Sequence, residues 1–184
     1  MSFLVQSNAG DVDGSTSYVS LAELADYATD RGIDLSSYTD EQKEAALIQA
    51  TDFMDTNYEY IGNPTNGDDQ DTVLPRTYCS ENSDLYYCEY YDTKVEINSG
   101  LSKEIKYACI EYAITILGGT SLYTNVTVAD SGIKVIDKKL GALQKKIEYV
   151  GGSGSVTTTK VPKAENYLKR SGLLADSGYR VMRS

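Results

Sequence analysis

Acidic side chains are the first candidates for chemistry in this sequence of 184 residues. Asp52 and Asp55 lie three residues apart, and a pair of carboxylates can divide the acid and base roles of a catalytic site. Their segment also carries apolar residues at helical spacing on its other face. A helix with one buried face leaves its acidic face in water, so solvated or capping roles fit both residues better. We therefore predict no catalytic residue.

A second acidic cluster comprises Asp68, Asp69 and Asp71. Clustered aspartates bind Ca²⁺ in EF-hand loops, but that pattern requires a glycine and a distal glutamate at set positions, and these are missing. The neighbouring Asn66 and Gly67 are typical of turns. We expect a solvated loop and no metal site.

Histidine is absent, which removes Ser-His and Cys-His nucleophile pairs and histidine-ligated metals. The three cysteines, Cys79, Cys88 and Cys109, match no zinc pattern, and their odd number favours reduced thiols. No activating group is evident near them in sequence. We expect no cofactor, and the N-terminal residues lack the pattern of a secretion signal.

The element that must organise the fold is a predicted helix at residues 101–119. Ser102 is suited to its N-cap, and Gly118 and Gly119 are suited to its end. Its apolar residues cover nearly two faces, which is typical of a helix buried among several neighbours. The segment is too short and too polar to span a membrane. We predict that it is the central core helix.

Three further helices are indicated by their ends. Residues 20–23 form a capping box that opens a short helix ending near residues 31–32. Residues 39–42 give a second capping signal and open a longer helix that ends at residues 61–64. Pro162 and Gly172 mark the start and the end of a short C-terminal helix.

Two strands around Gly141 and Ala142 are predicted by alternating side chains in residues 133–150. Residues 62–100 are predicted to be a long irregular loop, and residues 151–155 a flexible Gly/Ser hinge followed by an extended stretch. The fold is therefore expected to be mainly α, a small helical bundle around a buried central helix. Residues 1–150 would form its core, and residues 151–184 the hinge plus a C-terminal docking arm.

Charge is unevenly distributed along the chain. Residues 1–133 carry 6 basic and 23 acidic residues, a net charge of −17, whereas residues 134–184 carry 11 basic and 4 acidic residues, a net charge of +7. Such a chain can pack head to tail with copies of itself, or dock its basic end on an acidic partner. The alternative is that folding brings the acidic and basic residues together, so that the surface carries both charges mixed.

Tyrosine is unusually abundant, with 16 residues against two Phe and no Trp. Tyrosine suits half-buried surfaces such as protein–protein contacts. Aromatic residues that stack on bases normally lie among Lys and Arg. The tyrosines of residues 78–91 instead have acidic neighbours, which favours protein contacts there.

Four segments together resemble the head–tail connector (adaptor) proteins of tailed bacteriophages, part of which is catalogued as a DnaT-like single-stranded-DNA-binding domain. The segments are SYVSLAELADYATDRG at 17–32, EQKEAALIQATDFMDTNYEYIG at 41–62, Gln70 followed by Leu74-Pro75-Arg76, and LSKEIKYACIEYAI with the hairpin SGIKVIDKKLGALQKKIEY. The resemblance spans residues 17–150.

The resemblance implies a structural protein of the virion neck that is made in the host cytoplasm and has no catalytic residue, cofactor or membrane contact. Its partners would be the portal protein, a tail or neck protein, and copies of itself in a ring, a dodecamer by family resemblance, with DNA passing through the channel unbound. For docking through the C-terminal arm we predict Tyr167, Lys169, Arg170, Tyr179, Arg180 and Arg183. For subunit contacts we predict Arg76, Tyr86, Tyr87, Tyr90, Tyr91, Lys138 and Lys139.

Two other functions stay open. A single-stranded-DNA-binding module is supported by the basic C-terminal portion and the many tyrosines, and opposed by the net charge of −17 over residues 1–133. An enzyme would have to rely on the acidic pairs at residues 52/55 and 68/69.

Overall fold

The computed structural model describes residues 2–79, 96–126, 135–140, 143–148 and 155–175. Among them are four helices: α1 (Leu21–Asp30), α2 (Asp40–Asn57), α3 (Lys103–Leu117) and α4 (Pro162–Ser171). The strands are β1 (Asn63–Pro64), β2 (Arg76–Cys79), β3 (Glu96–Asn98), β4 (Tyr123–Val126), β5 (Val135–Leu140), β6 (Leu143–Glu148) and β7 (Ser155–Thr158). The chain forms two compact units, Met1–Thr120 with Val161–Ser184, and Ser121–Lys160. The predicted fold class, a small and mainly helical bundle with a hairpin, is confirmed.

Helix α3 is the centre of the first unit, as its sequence predicts. Its backbone begins at the Ser102 cap, whose hydroxyl accepts a hydrogen bond from the Ile105 N–H, and Gly118 ends it. Helices α2 and α4 pack extensively on α3, and α1 contacts it as well. Both predicted apolar faces are buried through the middle of the helix, one at Ile105 and Tyr112 and the other at Ile110 and Ala113. A helix enclosed in this way needs apolar residues on more than one side.

Helices α1 and α2 begin at the predicted capping boxes. The Ser20 hydroxyl accepts a hydrogen bond from the Glu23 N–H at 3.2 Å, and the Glu23 carboxylate accepts the Ser20 N–H at 2.9 Å. Thr39 and Gln42 make the equivalent reciprocal pair at the start of α2. These bonds satisfy amides that the first helical turn leaves without partners.

The segment expected to be irregular contains a small antiparallel sheet in the order β1-β2-β3. Its strands are only two to four residues long, too short for an alternating pattern to be recognised. Gly62 enters the sheet with φ +80°, and a Cβ there would lie 2.4 Å from the Thr77 carbonyl oxygen. Only glycine therefore fits at this entry. The Leu74-Pro75 peptide bond before β2 is cis.

The second unit contains two antiparallel strand pairs. Strands β5 and β6 form the predicted hairpin, in which Asp137 faces Lys146 and Leu140 faces Leu143. The extended stretch predicted after the Gly/Ser residues is β7, and it pairs with β4. Residues 151–154 of the predicted hinge lie outside the described residues.

Helix α4 begins with Pro162 and ends at Gly172, whose φ of +70° is the left-handed conformation that favours glycine. Its Ala164 and Leu168 are fully buried, and the helix packs on α3. The chain then reaches the end of α2, where the Ala175 N–H donates to the Glu59 carbonyl oxygen at 2.9 Å. The docking role assigned to residues 151–184 stays a prediction.

No helix in the described part of the chain is both long enough and apolar enough to cross a membrane.

Candidate functional site

Arg76, a predicted subunit contact, makes hydrogen bonds within its own chain. Its Nε donates to the carbonyl oxygens of Ile61 and Gly62, each at 3.0 Å, and its backbone N–H donates to the Ser99 hydroxyl at 2.9 Å. Burial lowers the pKa of the guanidinium, which still remains charged. Arg76 thus joins the end of α2 to the small sheet, and a role in subunit contacts stays a prediction.

The other predicted contact residues are only partly described. Lys138 and Lys139 lie on β5, opposite Lys145 and Gln144 of β6, and the structure describes only their backbone. Residues outside the described part of the chain are Tyr86, Tyr87, Tyr90, Tyr91, Tyr179, Arg180 and Arg183.

Three predicted docking residues lie on α4. Lys169 and Arg170 are exposed in its last turn, where positive charge is favoured by the helix dipole. Tyr167 is half-buried, and its ring meets that of Tyr107 on α3 edge to face, with centroids 5.5 Å apart. Tyr167 therefore belongs to a larger group of side chains on the first unit.

That group is the aromatic–cation cluster, in which tyrosine rings and basic side chains from three helices meet. Its members are Tyr27 and Arg31 of α1 and its C-cap, Lys103 and Tyr107 of α3, and Lys163 and Tyr167 of α4. Arg31 makes the closest cation–ring contact of the cluster. Its Cζ atom lies 3.5 Å from the ring centroid of Tyr27 and 4.8 Å from that of Tyr107. Both distances lie within the range of cation–π attraction.

The two lysines also lie near these rings. The Nζ atom of Lys103 lies 5.2 Å from the Tyr107 ring centroid, and that of Lys163 lies 5.6 Å from the Tyr27 centroid. The Tyr27 and Tyr107 rings themselves meet at an interplanar angle of 69°, with centroids 4.7 Å apart. The cluster is thus held together by edge-to-face ring pairs with cations around them.

Glu111 supports the cluster from the core of α3. Its buried carboxylate accepts a hydrogen bond from the Tyr27 hydroxyl and forms an ion pair with Lys163 at 2.5 Å. Burial and the hydrogen bond to Glu111 raise the pKa of Tyr27, which keeps the phenol neutral. This acid therefore joins α1, α3 and α4, and neutralises one of the three cations.

The cluster is open to solvent on its basic side. Arg31, Lys103 and Lys163 are exposed and Tyr107 is half-buried, whereas Tyr27 is only 2% exposed. Aromatic faces flanked by cations can accept planar bases by stacking and phosphates by charge. In chemical terms, this surface is suited to single-stranded nucleic acid.

The sequence carries a signal for this cluster, but the signal lies at helical spacing and not between adjacent residues. Each helix pairs a tyrosine with a cation four residues away: 27 with 31, 103 with 107, and 163 with 167. Residues four apart share a helix face. The tyrosines of residues 78–91 have acidic neighbours, and the three helical pairs are distant from one another in sequence, so only the packing of the helices brings them together.

Asp55 corrects the sequence-based interpretation of the acidic pair, because it is half-buried and its carboxylate is hydrogen-bonded within the chain. Its carboxylate accepts hydrogen bonds from the Tyr18 hydroxyl and, at 3.1 Å, from the Val73 N–H, and the Tyr18 hydroxyl accepts the Leu74 N–H at 3.1 Å. Burial raises the pKa of Asp55 to about 6. Asp55 thus fixes the loop before β2. This structural role accounts for the position of its carboxylate without a neighbouring substrate pocket.

The described residues contain no group of three or more side chains that could hold a metal ion, and Asp68, Asp69 and Asp71 are exposed. Cys109 is fully buried beside the Thr51 hydroxyl, with Oγ1 and Sγ 3.6 Å apart. Burial raises the pKa of its thiol to about 12, so it stays protonated and unreactive. Cys88 lies outside the described residues.

Comparison with protein families gives a match over the whole chain. The family model described as "Putative DnaT-like ssDNA binding protein" matches residues 1–184. Comparisons with curated proteins and with solved structures give no match. Since the match covers every residue, this chain belongs to the DnaT-like single-stranded-DNA-binding family.

Proposed function

We propose that this protein binds single-stranded DNA through the aromatic–cation cluster. The observation that carries the proposal is the convergence of three tyrosine rings and three exposed cations from three helices, with Tyr107 and Tyr167 only half-buried. The family match supports the same ligand. The connector function implied by the sequence resemblance becomes the second candidate.

Stacking on Tyr107 and Tyr167 would supply sequence-tolerant affinity, since every base has an aromatic face. Such stacking contributes about 1–3 kcal/mol per base. The nearly buried Tyr27 would support the other rings without contacting a base itself. Recognition of this kind requires unpaired bases and reads no sequence.

Phosphates would be held by Arg31 and Lys103, since Lys163 is ion-paired with Glu111. Two cations give a slope of roughly −1.4 for the logarithm of affinity against that of salt concentration. The net charge of −10 opposes this attraction at long range. We therefore expect moderate affinity that falls strongly as salt is added.

The proposal is tested by fluorescence anisotropy with a labelled oligo-dT at low ionic strength. The variant Arg31→Gln, Lys103→Gln should lower affinity by about tenfold, because it removes two phosphate contacts. The matched control is Lys43→Gln, Lys160→Gln, which also removes two positive charges but from residues outside the cluster, and should leave affinity nearly unchanged. Absence of binding at low salt, or equal losses in the test and control variants, would contradict the proposal.

A virion connector is the second candidate, favoured by the net charge of −17 over residues 1–133. An acidic wall repels phosphates and would let DNA slide through a ring lumen without being held. In this function the partners are a portal protein, a neck or tail protein and further copies of the chain. Light scattering of the chain with and without a portal ring tests it: a defined ring or a portal complex is expected, and a monomer that ignores portal would exclude it.

A further inference from the structure

The two half-buried rings of the aromatic–cation cluster, Tyr107 and Tyr167, lie in different planes. Their interplanar angle is 74°, and their centroids are 5.5 Å apart. One ring of an edge-to-face pair presents only its edge to the other, so the contact does not cover the faces of both rings. Bases that stack on both rings must therefore be inclined to each other as the rings are.

The angle between these rings is fixed by the packing of the helices that carry them. Tyr107 belongs to α3 and Tyr167 to α4, which is anchored on α3 by the fully buried Leu168. The ring of Tyr27 also meets Tyr107, at 69° and with centroids 4.7 Å apart. The Arg31 guanidinium interacts with the side chains of both Tyr107 and Tyr167. Turning either ring would disrupt these contacts, so a ligand must adapt to the rings.

A stacked single strand does not fit two surfaces inclined in this way. Its successive bases lie parallel to one another, about 3.4 Å apart along the strand. A base on Tyr107 and the next base on Tyr167 would instead be inclined by the 74° that separates the rings. The stack between the two bases must therefore be broken, and the backbone must turn between them.

We propose that the cluster binds single-stranded DNA at an unstacked step, where the strand turns between a base on Tyr107 and a base on Tyr167. The turn presupposes the DNA binding proposed above and defines the strand that is selected. A strand with weak stacking between its own bases, such as oligo-dT, makes the turn at little cost, whereas oligo-dA must first break stronger stacking. The preference arises from the flexibility of the strand and not from hydrogen bonds to base edges.

Arg31 is the cation best placed to hold the phosphate at this turn. It is exposed, and its guanidinium interacts with both rings between which the strand turns. Its Nη1 donates a hydrogen bond to the Tyr27 carbonyl oxygen at 3.3 Å, which anchors the side chain. The Nζ atom of Lys103 lies 5.2 Å from the Tyr107 centroid and would hold a phosphate on that side of the step. Charge-assisted hydrogen bonds of this kind are stronger than neutral ones.

Circular dichroism of the strand tests the turn. The probe is an oligonucleotide built only from 2-aminopurine, which absorbs at longer wavelengths than the protein and the ordinary bases and gives an exciton couplet while its bases are stacked on one another. We expect the couplet to decrease on saturation with the full chain at low salt. A couplet that persists in a complex weakened by Arg31→Gln, Lys103→Gln would overturn the turn and leave the proposed function standing. Absence of binding would overturn both.

Single-ring variants separate the turn from stacking alone. Tyr167→Leu leaves Tyr107 without the second ring, so a base can stack there without leaving its neighbour, and residual binding should leave the couplet nearly unchanged. Tyr107→Leu makes the same test if that variant does not fold, and far-ultraviolet circular dichroism checks both. The control is Tyr123→Leu, which changes an exposed tyrosine of the second unit and should behave as the native chain does. Equal loss of the couplet in the native and single-ring complexes would overturn the proposal.

Strand composition gives a second measurement. Breaking one stacked step reduces affinity by at most about tenfold, so the native chain should prefer oligo-dT to oligo-dA of equal length by roughly three- to tenfold. Competition against labelled oligo-dT measures the ratio, which should fall in Tyr167→Leu because one ring requires no turn. Equal or tighter binding of oligo-dA by the native chain would overturn the proposal.

Discussion

Asp55 shows at the residue scale how a carboxylate that suggests chemistry in the sequence serves the fold. Its partners are the Tyr18 hydroxyl and the Val73 N–H, so it joins α2 to the loop before β2. The spacing of Asp52 and Asp55 predicted exposure for both, since an α-helix with one apolar face exposes the other. The loop at residues 72–75 covers α2 from that side, and sequence periodicity does not reveal a covering loop.

The raised pKa of Asp55 makes stability depend on pH in a defined direction. The folded pKa of about 6 exceeds the ordinary value of 3.8, so the folded state binds this proton more tightly than the unfolded state. Stability from this group is present below the unfolded pKa and is lost as pH rises through about 6. The full effect is of the order of 3 kcal/mol.

Urea unfolding of the native chain and of Asp55→Asn at pH 4.5 and pH 7.5 measures this contribution. The amide has no titrating proton, so the free energy of unfolding of the native chain relative to Asp55→Asn should rise on acidification. A difference that stays constant between the two pH values would contradict the assignment.

Glu111 gives a prediction in which a substitution increases affinity for DNA, whereas most substitutions in a binding site reduce it. The ion pair with its carboxylate occupies Lys163, one of the three cations of the cluster. Glu111→Gln removes that charge, keeps an acceptor for the Tyr27 hydroxyl, and frees Lys163 for phosphate. We expect affinity for oligo-dT to increase a few-fold and the salt slope to steepen by about 0.7. Anisotropy titrations at several salt concentrations check both; weaker binding by a folded variant would count against the cluster.

At the scale of elements, α4 is the element whose packing matters most for the proposed function, because it places Tyr167 and Lys163 beside α3. Its Ala164 and Leu168 are fully buried, whereas the adjacent Lys169 is exposed. The apolar contacts thus lie on the helix face toward α3, whereas Lys169 lies on the exposed face. Loss of this packing would remove two members of the cluster at once.

Leu168→Ala should lower the free energy of unfolding by about 2–5 kcal/mol, the usual cost of truncating a buried leucine. Lys169→Ala, on the exposed face next to it, should change stability by less than about 0.5 kcal/mol. Denaturant unfolding followed by circular dichroism measures both variants. Equal stability of the two would show that α4 is not part of the folded core.

The helices and the hairpin could be predicted because their signals are local. Capping residues and periodicity fix α1 to α4 within a few residues, and the alternation of residues 133–150 gives β5 and β6. The sheet β1-β2-β3 could not be predicted, since its short strands are paired by the fold. The aromatic–cation cluster could not be predicted, because it depends on how three helices pack. Only the spacing of four residues between tyrosine and cation in each helix is visible in the sequence.

At the scale of the whole molecule, segregated charge limits what the protein can bind. The net charge of −10 repels polyphosphates at a distance, so DNA must gain affinity at the cluster by short-range stacking.

Single-stranded DNA should be preferred to duplex of equal length by at least about tenfold, because a duplex keeps its bases stacked and offers only phosphates. Competition of unlabelled single-stranded and duplex oligonucleotides against labelled oligo-dT measures the ratio. Equal competition would indicate purely electrostatic binding.

Photo-crosslinking tests the central claim most directly, since it identifies the residues that touch the bases. The full chain is irradiated at low salt with a single-stranded oligonucleotide that contains bromodeoxyuridine, and crosslinked peptides are identified by mass spectrometry. The account predicts crosslinks at Tyr107 and Tyr167, the half-buried rings of the aromatic–cation cluster. Crosslinks confined to tyrosines elsewhere, such as the exposed Tyr123 of the second unit, would contradict it.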